Sequence, residues 1–222
     1  MGIILIIVVV VAIAGAIVYG QVMVARRREA MSALASQLGL QFKEDDDHDL
    51  AENLSFLRGL DEGSNRYVYN RLEGSYRGHH VQAFDFHYET YSHSKHGRQT
   101  THHHFSVVTL RLPRSVPEVL IAPEGIFSKI AQAFGYDDID FESAEFSRAF
   151  CVRSPDKKFA YDVCHPQMME YLLARRELAI EFENNLLALA FGAQLEPPEI
   201  ETWLNEAVEI RRLMPDYLFT AT

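Results

Sequence analysis

The sequence predicts an α+β protein with an N-terminal transmembrane helix, an antiparallel-sheet domain and a C-terminal helix. Three patterns indicate this class. An apolar run covers residues 2–25, residues 81–88 alternate between apolar and polar side chains, and the stretch between Pro197 and Pro215 repeats apolar side chains at helical spacing. The predicted strands come in runs, with no regular alternation of strand and helix, and this order favours an antiparallel sheet.

The apolar run is long enough to cross a bilayer. Residues 2–25 carry no charge, and as a helix they extend about 36 Å against a hydrocarbon core of about 30 Å. The alternative is a cleaved signal peptide, with Ala14, Gly15 and Ala16 as the cleavage site. Signal peptides carry their positive charge ahead of the apolar core. Because the arginines here follow it, we expect a retained single-pass anchor.

Three arginines and a tyrosine mark the expected inner membrane interface. Arg26, Arg27 and Arg28 close the apolar run, and Tyr19 lies one to two turns before them. Basic residues mark the cytoplasmic side of a span, and aromatic rings favour the headgroup layer. We therefore predict an N-terminus outside, a cytoplasmic C-terminal domain and an interface collar formed by these four residues.

One face of the anchor carries small side chains. Ala12, Ala16 and Gly20 are four residues apart, so they share a helix face that another helix can approach closely. The alternative is that membrane helices are rich in alanine and glycine without a specific partner. The pattern predicts a packing face for a membrane protein partner.

Composition divides the chain and excludes some partners. We predict a transmembrane helix over residues 1–25, a juxtamembrane amphipathic helix and acidic linker over 26–50, and one domain over 51–222. The net charge of −10 lies entirely beyond residue 25, which argues against nucleic acid as a partner. Cys151 and Cys164 form no disulfide framework, and each is expected to be a small buried side chain.

Residues 26–50 are predicted to link the anchor to the domain. Met31, Leu34, Ala35 and Leu38 recur at helical spacing, and Gly39 is placed to end the helix. This helix is expected to continue the anchor and dock on the domain. The acidic run 44–49 that follows is interpreted as a solvated loop.

The middle of the chain is rich in predicted strands. The alternation over residues 81–88 places Phe84, Phe86 and Tyr88 on one face of a strand. Asp85, His87 and the following Glu89 lie on the other face. The remaining expected strands of this region cover residues 67–72, 103–112 and 119–122, and residues 90–101 are expected to form a polar loop. These strands pair most simply as an antiparallel meander.

The C-terminal half mixes helices and strands. Helices are expected over residues 123–135, from 154 to a break at Pro166, and from 167 to 174. A strand is expected over 146–152, and 178–183 and 186–191 are expected to form a hairpin turning at Asn184 and Asn185. In the last helix, Ile200, Trp203 or Leu204, Ala207 and Ile210 form the apolar side. A bent sheet closed by this helix would be similar to a pleckstrin-homology-like roll.

Histidines are concentrated in the predicted β region. Eight of the ten lie between residues 79 and 104. If strands 81–88 and 103–112 form a hairpin, His87 and His103 come close to opposite each other, with His93 and His96 in the loop. Converging imidazoles can hold zinc, nickel or copper, and Asp85 or Glu89 can complete such a set.

A solvated polar loop explains the same histidines without a metal. His102, His103 and His104 are consecutive, so they cannot all face one ion from a strand. The sequence contains neither a His-Glu-x-x-His motif nor a paired cysteine motif. We therefore predict no metal and no cofactor, and keep His87, His103, His93 and His96 as the ligands to test.

Four stretches resemble an uncharacterised group of bacterial membrane-anchored proteins that carry a domain of unknown function. They are residues 35–40 (ASQLGL), 83–86 (AFDF), 138–148 (DIDFE and FSR) and 165–172 (HPQMMEYL). The resemblance implies an N-terminal membrane segment in the bacterial inner membrane and a soluble α+β domain. It implies no reaction and no catalytic residues, and the histidine-rich segment lies outside it.

These observations favour a non-enzymatic, single-pass accessory subunit of a membrane protein complex, such as a respiratory, photosynthetic, transport or secretion assembly. The expected partners are the lipid bilayer and other membrane proteins. A membrane-tethered metal-binding or hydrolytic protein is the first alternative. A roll that binds lipid or another small ligand is the second, although the acidic charge of the domain opposes binding to anionic lipid.

Overall fold

The apolar run and the amphipathic segment after it form one unbroken helix, α1 (Gly2–Leu38). The computed structural model describes residues 2–94, 97–124, 136–190 and 192–220. Among these residues, α1 is the one helix whose length and composition suit a membrane span. Its apolar side chains between residues 4 and 24 are exposed, whereas Met31, Leu34 and Ala35 are buried in the domain. Gly39, at a φ of 70°, follows the helix end as predicted.

An antiparallel sheet forms the centre of the domain and confirms the predicted class. The six described strands are β1 (Gln41–Lys43), β2 (Ser64–Tyr76), β3 (His79–Ser94), β4 (Gly97–Pro123), β5 (Phe150–Arg153) and β6 (Ile180–Ala190). Their order in the sheet is β1-β2-β3-β4-β5, and β6 also pairs with β4. Because β1 belongs to this sheet, the folded domain includes residues ahead of position 51.

β4 is one long strand where two were predicted. Pro113 and Pro117 suggest a break between residues 112 and 119, because proline cannot donate to a ladder. The structure places both prolines where the register with β6 shifts, between Arg111 and Val119. The irregular pairing accommodates the missing N–H groups, and the strand continues through them.

Three further local predictions are wrong. The loop expected over 90–101 belongs to β3 and β4, whose pairing extends to Ser94 and Gly97. The hairpin expected at Asn184 is absent, because Asn184 adopts a φ of 52° within β6 and pairs with Val116. Residues expected to begin a strand at 146 lie instead in α3 (Ala144–Ala149).

Helices cover the sheet and divide the core into two clusters. The larger cluster lies under the end of α1, α4 (Lys157–Val163), α5 (Pro166–Leu173) and α6 (Pro197–Leu213), and the smaller one under α2 (His48–Asn53). β3 serves both, since Ala83 faces the larger cluster and Phe84 the smaller. The predicted apolar side of α6 is buried as expected. The helix predicted over 123–135 falls mostly outside the described residues.

The acidic run 44–49 lies at the surface, with one member in a structural role. The Asp47 carboxylate accepts a hydrogen bond from the Leu50 backbone at 2.7 Å and so caps α2. It also pairs with Arg71 at 3.0 Å. The run is therefore a surface segment that Asp47 fixes to β2, both by this ion pair and by backbone hydrogen bonds with Val68.

A buried carboxyl makes the stability of the fold depend on pH. Glu181 of β6 is 7% exposed and accepts a hydrogen bond from the Arg58 backbone at 2.8 Å. Burial raises the pKa of Glu181 from 4.5 to about 7. The pKa of Glu181 is therefore higher in the folded protein than in the unfolded chain. Its contribution to stability is fully present below pH 4.5 and is lost as the pH rises through about 7.

We expect Glu181→Gln to remove part of that pH dependence. An amide stays neutral, so the variant should gain up to about 3 kcal/mol relative to the parent between pH 5 and pH 8. Urea unfolding at the two pH values measures the difference. Glu177→Gln, at an exposed carboxyl, is the matched control and should leave the slope unchanged. An unchanged slope in Glu181→Gln would contradict the assignment.

Candidate functional site at the foot of the membrane helix

A buried ion pair joins α1 to the sheet. Arg27 donates from Nε to Asp85 Oδ2 at 2.8 Å and from its terminal nitrogen to Oδ1 at 2.7 Å. The side chain of Asp85 is fully buried, and that of Arg27 is 17% exposed. Two parallel hydrogen bonds fix the guanidinium plane as well as its distance. The orientation of α1 is therefore tied to β3.

Neutral groups complete the shell around Asp85. Asn70 donates to Oδ2 at 2.9 Å, and Ser106 donates to Oδ1 at 2.9 Å. The Ser106 hydroxyl in turn accepts from the Leu195 backbone at 2.9 Å. Four elements of the chain thus meet at one carboxylate: α1, β2, β3 and β4.

The predicted interface collar is split by this pair. Tyr19 and Arg26 are exposed. A guanidinium nitrogen of Arg28 lies 4.0 Å from a carboxylate oxygen of Glu44, which follows β1. Arg27 faces the domain, because the Asp85 carboxylate binds its guanidinium. Asp85, a possible metal ligand by sequence, is already fully engaged, because each of its two oxygens accepts two hydrogen bonds from protein donors.

A cavity of about 770 Å³ adjoins the ion pair. The anchor helix lines one side with Met23, Val24 and Arg26, and the sheet lines the other with Tyr69 and His104. The Tyr69 hydroxyl and His104 Nδ1 are 2.8 Å apart. Burial raises the pKa of Tyr69. The pKa of His104 is lowered, mainly by its partial burial and to a smaller extent by the neighbouring imidazoles. Both groups are therefore neutral near pH 7.

Three histidines, His87, His102 and His104, form a cluster on the same face of the sheet as Asp85. His87 is buried and stacks on Tyr67 with 4.4 Å between ring centroids. Its Nε2 lies 3.1 Å from Nδ1 of His102, and the ring centroids of His87 and His104 are 4.7 Å apart. Glu89 is at 3.6 Å from His102 Nδ1.

The predicted pairing of His87 with His103 is wrong by one residue. His87 lies opposite His104 in the register, and His103 lies opposite Tyr88. His103 therefore occupies the other face, where its ring stacks on Tyr88 at 4.5 Å. A shift of one residue moves every side chain of a strand to the opposite face.

His93, the third predicted ligand, lies away from this cluster. His93 lies opposite Arg98 near the end of the hairpin, six residues along β3 from His87. His96 lies outside the described residues. The carboxyl and imidazole groups that do converge are those of His87, Glu89 and His102.

The small-residue face of α1 opens onto a groove. Ala12, Ala16 and Gly20 are exposed, and an added Cβ at Gly20 would meet nothing within 4 Å. A groove of about 680 Å³ follows this face along Ala16, Gly20 and Val24 to Arg28 and Glu44. A helix lying on the small-residue face would therefore also approach the acidic run of the domain.

The fold is similar to that of a solved protein, described as the mycobacterial trehalose monomycolate transport factor A, TtfA. The two chains share 15% sequence identity at a TM-score of 0.61, and the similarity covers 90% of this chain and 97% of that one. At this identity the likeness shows the fold alone. No protein-family model and no curated protein matches the sequence, which is compatible with an uncharacterised family.

Sequence reasoning missed the pairing of Arg27 with Asp85. The sequence does contain a hint of this pairing. Asp85 lies in a predicted strand and shares a face with the apolar residue Ala83, two positions earlier. A carboxylate on a face that also carries apolar core residues needs a cation or strong donors. From the sequence, the arginines at the helix foot are predicted to face lipid headgroups, so Asp85 is left without a cation.

Proposed function

We propose that the chain is a single-pass, membrane-anchored accessory subunit of a membrane protein complex. The observation that carries the proposal is the continuity of α1 from its exposed apolar part into the buried core, locked by Arg27 and Asp85. A flexible tether would only hold the domain near the membrane. A helix fixed to the sheet also sets the direction in which the domain faces, which suits a subunit that docks on fixed partners.

The proposed orientation places the N-terminus outside and the domain in the cytoplasm. The support is the position of Arg26 and Arg28 after the apolar run, since basic residues stay on the cytoplasmic side. Arg27 contributes less to this signal once folded, because Asp85 neutralises it. The bacterial inner membrane is the proposed location.

Transport is the process we favour among the candidate complexes. The support is the shared fold with a protein described as a transport factor. The role we propose is binding rather than catalysis, because the buried carboxylate at the helix foot is saturated by structural hydrogen bonds. The small-residue face and its groove are the proposed contact with the partner.

The test is copurification from native membranes with paired variants of α1. Ala16→Leu fills the groove and should reduce recovery of the partner at least several-fold, because close helix approach needs small side chains. Ala14→Leu makes the same change about 160° away around the helix and should copurify as the parent does. Protease added outside sealed spheroplasts should leave the domain intact.

Two results would contradict the proposal. One is a parent chain that is monomeric after mild solubilisation and cross-links to nothing. The other is equal loss of partners in Ala14→Leu and Ala16→Leu, which would indicate a general defect of insertion. Degradation of the domain by external protease would overturn the orientation alone.

A further inference from the structure

Three ligand atoms converge on the hairpin of β3 and β4. Nε2 of His87 and Nδ1 of His102 are 3.1 Å apart, and Nδ1 of His102 is 3.6 Å from Oε1 of Glu89. All three ligand atoms lie within 4.8 Å of one another. Ligands of a tetrahedral zinc ion at about 2.1 Å are about 3.4 Å apart. The observed separations thus match a metal coordination shell.

The tautomer of His87 is set by the backbone. Its Nδ1 lies 3.1 Å from the carbonyl oxygen of Asn65, and a carbonyl can only accept, so Nδ1 carries the proton. In the neutral ring Nε2 then presents a lone pair toward His102. Metal-binding histidines are oriented in this way, with the second nitrogen donating to a carbonyl or carboxylate.

The carboxylate of Glu89 is oriented by the same residue. Asn65 donates from its side-chain amide to Glu89 Oε1 at 2.7 Å, and the Tyr91 hydroxyl donates to Oε2 at 2.7 Å. Asn65 holds a φ of 51°, an uncommon conformation for a residue other than glycine. Its backbone and side chain thus fix one ligand each, His87 and Glu89.

We propose that His87, Glu89 and His102 bind a divalent transition metal ion, with Zn²⁺ as the expected occupant. Two imidazoles and one carboxylate are a set that zinc accepts, whereas Mg²⁺ and Ca²⁺ prefer oxygen ligands throughout. Three protein ligands leave a fourth position for water or for a side chain of another protein. The site lies beside His104, which lines the cavity at the foot of the anchor.

The ion would also fix the hairpin. His87 and Glu89 belong to β3 and His102 to β4, so one metal ion bridges the two strands near the end that projects beyond Asp85. His103 cannot take part, because it lies on the opposite face against Tyr88. This difference between neighbouring histidines gives the test its control.

The test is a zinc titration of the full-length chain, purified in detergent without a histidine tag and stripped with EDTA. We expect one Zn²⁺ per chain by competition with a chromophoric chelator, with no competition from Mg²⁺. Because losing even an outer-shell partner costs about 10–100-fold in affinity, His102→Ala should weaken binding at least about tenfold. His103→Ala should bind as the parent does.

Folding of the variants is followed separately. His102 is 57% exposed, so the metal-free melting temperature of His102→Ala should equal that of the parent. Zinc should raise the melting temperature of the parent and of His103→Ala, and leave that of His102→Ala unchanged. Less than half an equivalent of zinc bound by the parent, or equal loss in both variants, would overturn the site.

Discussion

Replacing Arg27 with methionine is expected to destabilise the domain by about 3–5 kcal/mol, because the substitution leaves a buried carboxylate without its cation. Methionine keeps an unbranched side chain of similar reach, so the loss reports mainly on charge. Asp85 would then keep only Asn70 and Ser106 as partners, and both are neutral hydrogen-bond donors. Urea unfolding of the full-length chain in nonionic detergent, followed by Trp203 fluorescence, measures the change.

Two controls separate the ion pair from other effects of the helix foot. Arg26→Met removes the neighbouring, exposed arginine and should change stability by no more than about 0.5 kcal/mol. The double variant Arg27→Met with Asp85→Asn removes both charges and should recover about 2 kcal/mol of the loss. Equal losses for Arg26→Met and Arg27→Met would show that the Asp85 pair is not the cause.

Arg27 has one role before the domain folds and another in the folded protein. In an inserting chain, Arg27 adds to the basic flank that sets orientation. In the folded protein the same side chain is bound by Asp85, whereas Arg26 is exposed and Arg28 lies 4.0 Å from Glu44. The pair therefore fixes the foot of α1 to the sheet.

The two long helices, α1 and α6, could be predicted from the sequence because each carries its own signal. In α1 the apolar run, the spacing of Met31 and Leu34, and Gly39 lie within one stretch of chain. In α6 the proline start and the apolar stripe are equally local. The alternation of β3 identified Phe84 and Phe86 as core, and both are buried.

The register of the hairpin could not be read from the sequence. The sequence allowed His87 to face His103, whereas the actual pairing with His104 depends on where the chain turns between Ser94 and Gly97. That choice also decides which imidazoles share a face. The histidine-rich segment was therefore recognised as a candidate metal site, while the ligand set required the structure.

Long-range pairing explains the remaining differences. Pro113 and Asn184 both have local preferences for breaking a strand, and a predicted strand ends just before each of them. In the structure these two stretches lie opposite each other, where β4 and β6 pair irregularly. Each irregularity accommodates the other, so neither strand ends. Information of this kind lies in the partner strand and not in the local sequence.

Removing residues 2–38 is expected to abolish folding, whereas removing residues 2–24 should leave a soluble, folded domain. The longer deletion takes away Met31 and Leu34 from the core and Arg27 from Asp85. Each large side chain lost from a core costs about 2–5 kcal/mol, and the unpaired Asp85 adds about 3–5. Their sum reaches the whole stability of a typical domain, about 5–15 kcal/mol. Far-UV circular dichroism and urea unfolding measure both chains.

A point variant keeps this prediction independent of the deletion itself. Met31→Ala with Leu34→Ala, in the chain that lacks residues 2–24, should lower the unfolding midpoint strongly while the chain remains soluble. Ala30→Ser, at an exposed position of the same helix, should not. If the chain lacking residues 2–38 unfolds cooperatively at the parent's midpoint, the end of α1 is only a linker. A fixed domain orientation would then have no structural basis, so this experiment also decides between a positioned subunit and a tethered one.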